Sequence, residues 1–88
     1  MTPPRLSKLE LKIMELLWEH GLSSIREIQE RIVTKPRPAY TTIQTVFGRL
    51  ESKNAVRRVK KVGGAHIYEA SVSREEAKRR LIDISYRP

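Results

Sequence analysis

The chain has no cysteine among its 88 residues, which excludes disulfide bonds, thiolate metal sites and thiol catalysis. It also has no long apolar run, since no stretch approaches the roughly 18 residues that a membrane-spanning helix needs. Residues Met1–Arg5 are not followed by the apolar core of a signal peptide. We therefore expect a cytoplasmic protein without membrane attachment.

Recognisable catalytic and metal-binding patterns are missing as well. The two histidines, His20 and His66, do not stand in a ligand spacing such as H-x-x-x-H. The sequence contains no recognisable Ser-His-Asp set, paired carboxylate site or phosphate-binding glycine loop. We expect a protein that is not an enzyme and that needs no cofactor or metal.

Positive charge is what the chain has in excess, and it is concentrated in one stretch. The formal net charge is +8, and the stretch Lys35–Lys61 carries +7 of it, with Glu51 as its one acid. Its basic residues are Lys35, Arg37, Arg49, Lys53, Arg57, Arg58, Lys60 and Lys61. A polyanion is the expected partner, because contacts from Lys and Arg to phosphates supply most non-specific affinity for nucleic acids. The alternative is a solvated basic surface that serves solubility.

The first half of the chain predicts two helices in a single domain. Capping boxes at Ser7–Glu10 and Ser24–Glu27 start them, and Gly21 suits the end of the first. The first helix has two apolar faces, so we expect it to be covered on both sides, with Trp18 buried against the C-terminal segment or a hairpin. The second is about ten residues long and ends before Lys35–Pro38.

A third helix begins between Ala39 and Thr41. Thr41–Gln44 matches a capping box, although a start two residues earlier also fits. One face of this helix is apolar, and the opposite face is polar and free of acids until Glu51. The apolar residues are Ile43, Val46, Phe47 and Leu50, and the polar face holds Thr41, Gln44, Thr45, Gly48 and Arg49. Asn54 can end the helix in a left-handed conformation.

Residues 55–70 predict a β-hairpin with Gly63–Gly64 at its turn. Valines recur every third residue in its first strand, which indicates a bulge or an unusual twist. A capping box at Ser73–Glu76 opens a last helix that runs to about Ile84. Its small apolar surface consists of Ala77, Leu81, Ile82 and Ile84.

Three helices followed by a basic hairpin is the order of a winged helix-turn-helix, a mainly α fold with a small β-hairpin. We expect a disordered lead at 1–5, the winged-helix domain at 6–71, and the start of a C-terminal dimerisation helix at 72–88. The polar face of the third helix can enter the DNA major groove, where Gln44 can bond adenine and Arg49 can reach guanine or a phosphate. Two plainer explanations remain open: the threonines are a helix cap, or the hairpin cations keep an edge strand soluble.

The chain resembles the penicillinase-repressor family of bacterial transcriptional repressors, the BlaI/MecI-like group. The resemblance lies in Glu10–Trp18 (ELKIMELLW), Ser24–Ile28 (SIREI), Ala39–Val46 (AYTTIQTV) and the hairpin end Ile67–Tyr68. It implies a winged-helix domain that binds double-stranded operator DNA resembling a TACA/TGTA palindrome, with C-terminal helices that form a homodimer.

Carried over to this chain, the resemblance implies base reading by the third helix and phosphate contacts by the wing. The DNA-binding residues predicted from the resemblance and the charge pattern together are Lys35, Arg37, Tyr40, Thr41, Thr42, Gln44, Thr45, Arg49, Arg58, Lys60 and Lys61. Family members continue through further dimerisation helices, so we expect this chain to be monomeric or weakly dimeric by itself. The competing hypothesis is a winged-helix module for protein–protein contacts without DNA. The charge of Lys35–Lys61 argues against it, because the cores of protein interfaces are depleted in lysine.

Overall fold

The computed structural model of the chain describes residues 6–33 and 35–80. In chain order its elements are α1 (Lys8–His20), β1 (Ser23–Ser24), α2 (Ile25–Arg31), α3 (Tyr40–Ser52), β2 (Val56–Val62), β3 (Ala65–Ala70) and α4 (Arg74–Arg80). Helices α1 to α3 and the β2–β3 hairpin form the predicted winged helix-turn-helix. The predicted lead at 1–5 and the end of the last helix at Ile84 lie outside the described residues. None of the described helices is long and apolar enough to cross a membrane.

The starts of α1 and α2 are fixed by the two predicted capping boxes. Ser7 N–H donates to Glu10 Oε1 at 2.7 Å, and Glu10 N–H donates back to Ser7 Oγ at 3.2 Å. Ser24 and Glu27 exchange the equivalent bonds at 2.8 and 3.1 Å. Gly21 ends α1 with φ of 78°, a left-handed value that glycine adopts at low cost. These local predictions are confirmed.

Two helix boundaries differ from the prediction. Ala39, whose backbone is extended, is the N-cap of α3 and makes no side-chain capping bond. The capping box at Thr41–Gln44 is therefore wrong, because Thr41 already lies inside the helix, and the earlier of the two predicted starts is correct. Helix α2 has seven residues instead of about ten, because the backbone of Ile32 turns extended while its side chain stays buried. Asn54 follows α3 with φ of 60°, as predicted.

The sheet contains one strand that the sequence did not predict. Its order is β1-β3-β2 with antiparallel pairing, and Ser23 of β1 lies opposite Tyr68 of β3. A two-residue strand is too short to show an alternating pattern, so it is recognised only by its pairing with β3. The predicted bulge is confirmed: the register shifts between Arg58 and Lys60, which leaves Val59 without a partner in β3.

One core joins all the helices to the sheet. Its fully buried side chains include Ile13, Met14, Leu17, Ile28, Ile32, Ile43, Phe47 and Leu50. Ala77 of α4 is also fully buried in this core. The prediction that Ala77 belongs to an exposed apolar surface of the dimerisation helix is therefore wrong.

Trp18 contacts the C-terminal segment, as expected, but it is only partly buried. Its indole N–H donates to the carbonyl oxygen of Val72 at 2.9 Å. The guanidinium of Arg74 lies 5.1 Å from the centre of its ring. Trp18 thus packs against the core and the C-terminal segment, as predicted, although its burial is partial.

A buried ion pair connects the start of α1 to the end of α3. Glu10 is only 2% exposed, and Lys53 Nζ lies 2.8 Å from its Oε1, while its Oε2 has no hydrogen-bond partner among the described residues. Burial alone would raise the pKa of Glu10, but the Lys53 ammonium and the bonds with Ser7 outweigh it and lower that pKa. A carboxyl whose pKa is lowered on folding stabilises the fold above its unfolded-state pKa. That contribution is lost as the pH falls through the folded-state value.

We therefore predict that Glu10→Gln lowers the free energy of unfolding at pH 7 by about 1.5–3 kcal/mol, the range for hydrogen bonds to charged groups. Urea denaturation at pH 7 and at pH 3 measures this difference, which should shrink at the lower pH because pH 3 lies below the ordinary glutamate pKa, where the stabilisation from a lowered folded-state pKa is being lost. Glu15→Gln, an exposed change on the same helix, is the matched control and should cost less than about 0.5 kcal/mol. A Glu10→Gln effect that is equal at both pH values would contradict the lowered pKa.

Candidate nucleic-acid interface

Helix α3 presents a polar face to solvent because its apolar stripe holds it on the core. Ile43, Val46, Phe47 and Leu50 are all buried. The exposed residues of the opposite side are Thr41, Thr42, Gln44, Thr45, Gly48 and Arg49. They include every base-reading position implied by the family resemblance. Their hydroxyl, amide and guanidinium groups are the kinds that bond base edges in the major groove.

Gly48 lies in the middle of this exposed face. A glycine in the middle of a helix destabilises it by roughly 0.5–1 kcal/mol relative to an alanine. A Cβ built at Gly48 would meet no atom of the protein within 4 Å, so internal packing does not require glycine there. The absence of a side chain instead lets an external surface approach the backbone of α3 closely.

The wing is the short basic hairpin formed by β2 and β3, from Val56 to Ala70. Gly63 and Gly64 have φ of 55° and 86°, and two positive values in succession are what a type I′ turn requires. Lys60 and Lys61 follow the bulge in β2, are exposed, and make no ion pair with the described residues. They are therefore available to contact phosphates.

Arg58 is in a different setting from these lysines. Its Nε lies 3.0 Å from Glu51 Oε2, and its terminal nitrogen donates to Glu51 Oε1 at 3.4 Å. Its guanidinium also lies 6.0 Å from the centre of the Tyr68 ring. Tyr68 and Glu51 raise the pKa of Arg58, so the residue stays charged, but that charge is shared with a carboxylate. Arg57 is likewise paired, with Glu69 across the hairpin.

The loop before α3 carries the other two predicted phosphate contacts. Lys35 and Arg37 are both exposed, and Arg37 Nε donates to the carbonyl oxygen of Ile32 at 3.1 Å. Gln29 of α2 donates to the carbonyl oxygen of Pro38 at 3.2 Å. These bonds tie Arg37 and Pro38 to α2 and to the residue that ends it.

An open groove of about 370 Å³ runs between α3, the start of α2 and the wing. Of the predicted residues, Tyr40, Gln44 and Arg58 line it. The remaining predicted residues are exposed on α3, on β2 or in the preceding loop, outside the groove walls. The structure therefore brings the predicted set to the surface, but it gathers only part of it in one concavity.

Arg26 also lines this groove, and sequence reasoning missed it as a site residue. Its guanidinium lies 5.2 Å from the centre of the Tyr40 ring, across the junction of α2 and α3. Arg26 lies outside the basic stretch Lys35–Lys61, so the charge pattern carried no signal for it. Only the packing of α2 against α3 shows that it belongs to this surface.

Comparison with known proteins agrees with this architecture. The family model described as Penicillinase repressor matches residues 6–84. The chain belongs to the penicillinase-repressor family. The transcriptional regulator BlaI of Mycobacterium tuberculosis is 34% identical over 73 residues, which cover 82% of this chain and 52% of that protein. The chain thus spans about half the length of the curated relatives it matches.

Two solved structures of the family show the same fold. The solution structure of the DNA-binding domain of the repressor BlaI has a TM-score of 0.70 and 25% identity, and the match covers 85% of this chain and 90% of that one. The monomeric form of Bacillus licheniformis BlaI, solved in complex with the blaP half-operator, has a TM-score of 0.66 at 25% identity and the same coverage. These matches confirm the winged-helix fold of the penicillinase-repressor chain described here.

Proposed function

We propose that this chain is the sequence-specific DNA-binding part of a bacterial transcriptional repressor that acts in the cytoplasm. Helix α3 would enter the major groove of a palindromic operator, and the wing would contact phosphates. The observation that carries the proposal is the exposed, acid-free face from Thr41 to Arg49 beside a wing with two unpaired lysines. The half-operator bound by the Bacillus licheniformis relative supports it.

The chemistry of the side chains separates the residues that would contact phosphates from those that would contact bases. Lys35, Arg37, Lys60 and Lys61 would hold phosphates, which positions the domain without reading sequence. Thr41, Thr42, Gln44, Thr45 and Arg49 would meet base edges, while Tyr40 stands at the start of the helix. Arg58 can reach a phosphate only by sharing or leaving its bonds with Glu51. Two domains on a palindrome would place their α3 helices about 34–36 Å apart, one turn of DNA.

The wing lysines provide the first test. Changing Lys60 or Lys61 to Ala should weaken binding to all duplexes alike and reduce the slope of log K against log salt by about 0.9 per lost contact. Fluorescence anisotropy with a labelled duplex across a salt series measures both quantities. Lys78→Ala, which removes an exposed lysine of α4, is the control with the same change of charge. A salt slope that stays at the wild-type value, together with a changed sequence preference, would contradict the phosphate role.

Base reading by α3 is tested with a duplex selected from a random-sequence pool. Gln44→Ala or Thr45→Ala should cost about 1–3 kcal/mol on the selected site and little on random DNA, because the lost bond is to a base edge. The random duplex serves as the internal control. Equal losses on the two duplexes would make these residues positioning contacts. If the wild-type chain binds no duplex in a salt-dependent way, the alternative of a protein-interaction module is favoured.

The described part of α4 offers little to a second copy of the chain. Its one small apolar residue, Ala77, is buried in the domain's own core. Stable interfaces bury about 1,200–2,000 Å² in total, more than one short helix pair supplies. We therefore predict a monomer, or a weak dimer, in analytical ultracentrifugation at micromolar concentration, with pairing promoted by a palindromic duplex. A tight dimer without DNA would contradict this prediction.

A further inference from the structure

Two arginines line the groove between α3 and the wing, and their surroundings differ. Arg58 is bonded through two nitrogens to the Glu51 carboxylate, so a phosphate would have to compete with an existing anion. Arg26 makes no ion pair with any residue in 6–33 or 35–80, and its one described partner is the Tyr40 ring. The positive charge that the groove can offer to an external anion is therefore that of Arg26.

The Tyr40 ring holds Arg26 without using its hydrogen-bond donors. At 5.2 Å from the ring centre, the guanidinium is within the range of a cation–π contact, which is made with the π-face of the ring. The N–H groups at the edge of a guanidinium form a planar fork that matches the oxygens of a phosphate. A side chain that is already held in place loses less conformational freedom on binding, which favours affinity.

Tyr40 is the first residue of α3, so the ring places this cation beside the start of the proposed base-reading face. Arg26 and Gln44 line the same groove. A phosphate contact at this point would fix the register of α3 in the major groove, which is the general role of backbone contacts in protein–DNA complexes.

We infer that Arg26, held by the Tyr40 ring, is a phosphate-contacting residue of the DNA interface. This inference rests on the proposed function, since it names a further contact of the same surface. It also gives Tyr40 a defined role, which is to position the guanidinium rather than to read a base.

The chain contains a matched control for this assignment. Arg74 lies over the Trp18 ring at 5.1 Å, so it is also an exposed arginine on an aromatic ring, but it does not line the groove. Arg26→Gln and Arg74→Gln therefore remove the same charge and the same type of contact from two different places. Both variants should retain the wild-type circular dichroism spectrum, because both side chains are exposed.

The test is a salt titration of duplex binding by the wild type and the two variants. Arg26→Gln should bind selected and random duplexes about tenfold more weakly. It should also lower the salt slope by about 0.9, whereas Arg74→Gln should keep the wild-type slope. Equal slopes for the two variants, with a wild type that binds DNA, would overturn this inference and leave the proposed function standing. A wild type that binds no duplex would overturn both.

Tyrosine variants test whether the ring acts through the arginine. Tyr40→Leu should bind about two- to fivefold more weakly, as expected for loss of a cation–π contact, while Tyr40→Phe keeps the ring and should lose less affinity than Tyr40→Leu. In the Arg26→Gln background, Tyr40→Leu should cause no further loss. An equal effect of Tyr40→Leu in both backgrounds, or equal losses with Tyr40→Phe and Tyr40→Leu, would show that Tyr40 does not act by holding Arg26.

Discussion

The contact between Phe47 and Tyr68 connects the parts of the molecule on which the proposed interface depends. Phe47 belongs to the buried side of α3 and Tyr68 to the central strand of the sheet, and their ring centres are 4.7 Å apart. Tyr68 lies opposite Ser23 of β1 and Arg58 of β2. Because both rings are almost completely buried, the wing cannot shift against α3 without opening the core, and close-packed cores resist such changes. The spacing between the helix and the wing is therefore a property of the core.

The cations of the basic stretch are not equally available to DNA. Lys53 is paired with Glu10, Arg57 with Glu69, and Arg58 with Glu51. Lys60 and Lys61 make no ion pair with the described residues. A count of charges in Lys35–Lys61 thus overstates the number of free phosphate ligands, while it leaves out Arg26. Pairing also places Glu51 beside an arginine, where its negative charge is balanced close to a surface proposed to meet phosphates.

Predictions that rest on neighbours in the sequence agreed best with the structure. The capping boxes at Ser7 and Ser24 and the left-handed Asn54 involve residues a few positions apart, so local patterns report them. The sequence left two starts for α3 because Ala39 provides no side-chain cap, while Thr41 and Gln44 match the capping-box pattern. Strand β1 and the Glu10–Lys53 pair were missed because each joins residues more than forty positions apart.

The sequence by itself determined the order of the elements, the amphipathic character of α3, the basic wing and the family to which the chain belongs. Periodicity, caps and turn glycines are short-range properties, and the family motifs are read directly from the letters. Only the tertiary structure decided which charges are free, that Trp18 contacts Arg74 and the Val72 carbonyl, and that Arg26 lies over the Tyr40 ring at the groove. The physical reason is that an ion pair or a ring contact depends on distance in space, and that distance is set by how the helices and the sheet share one core.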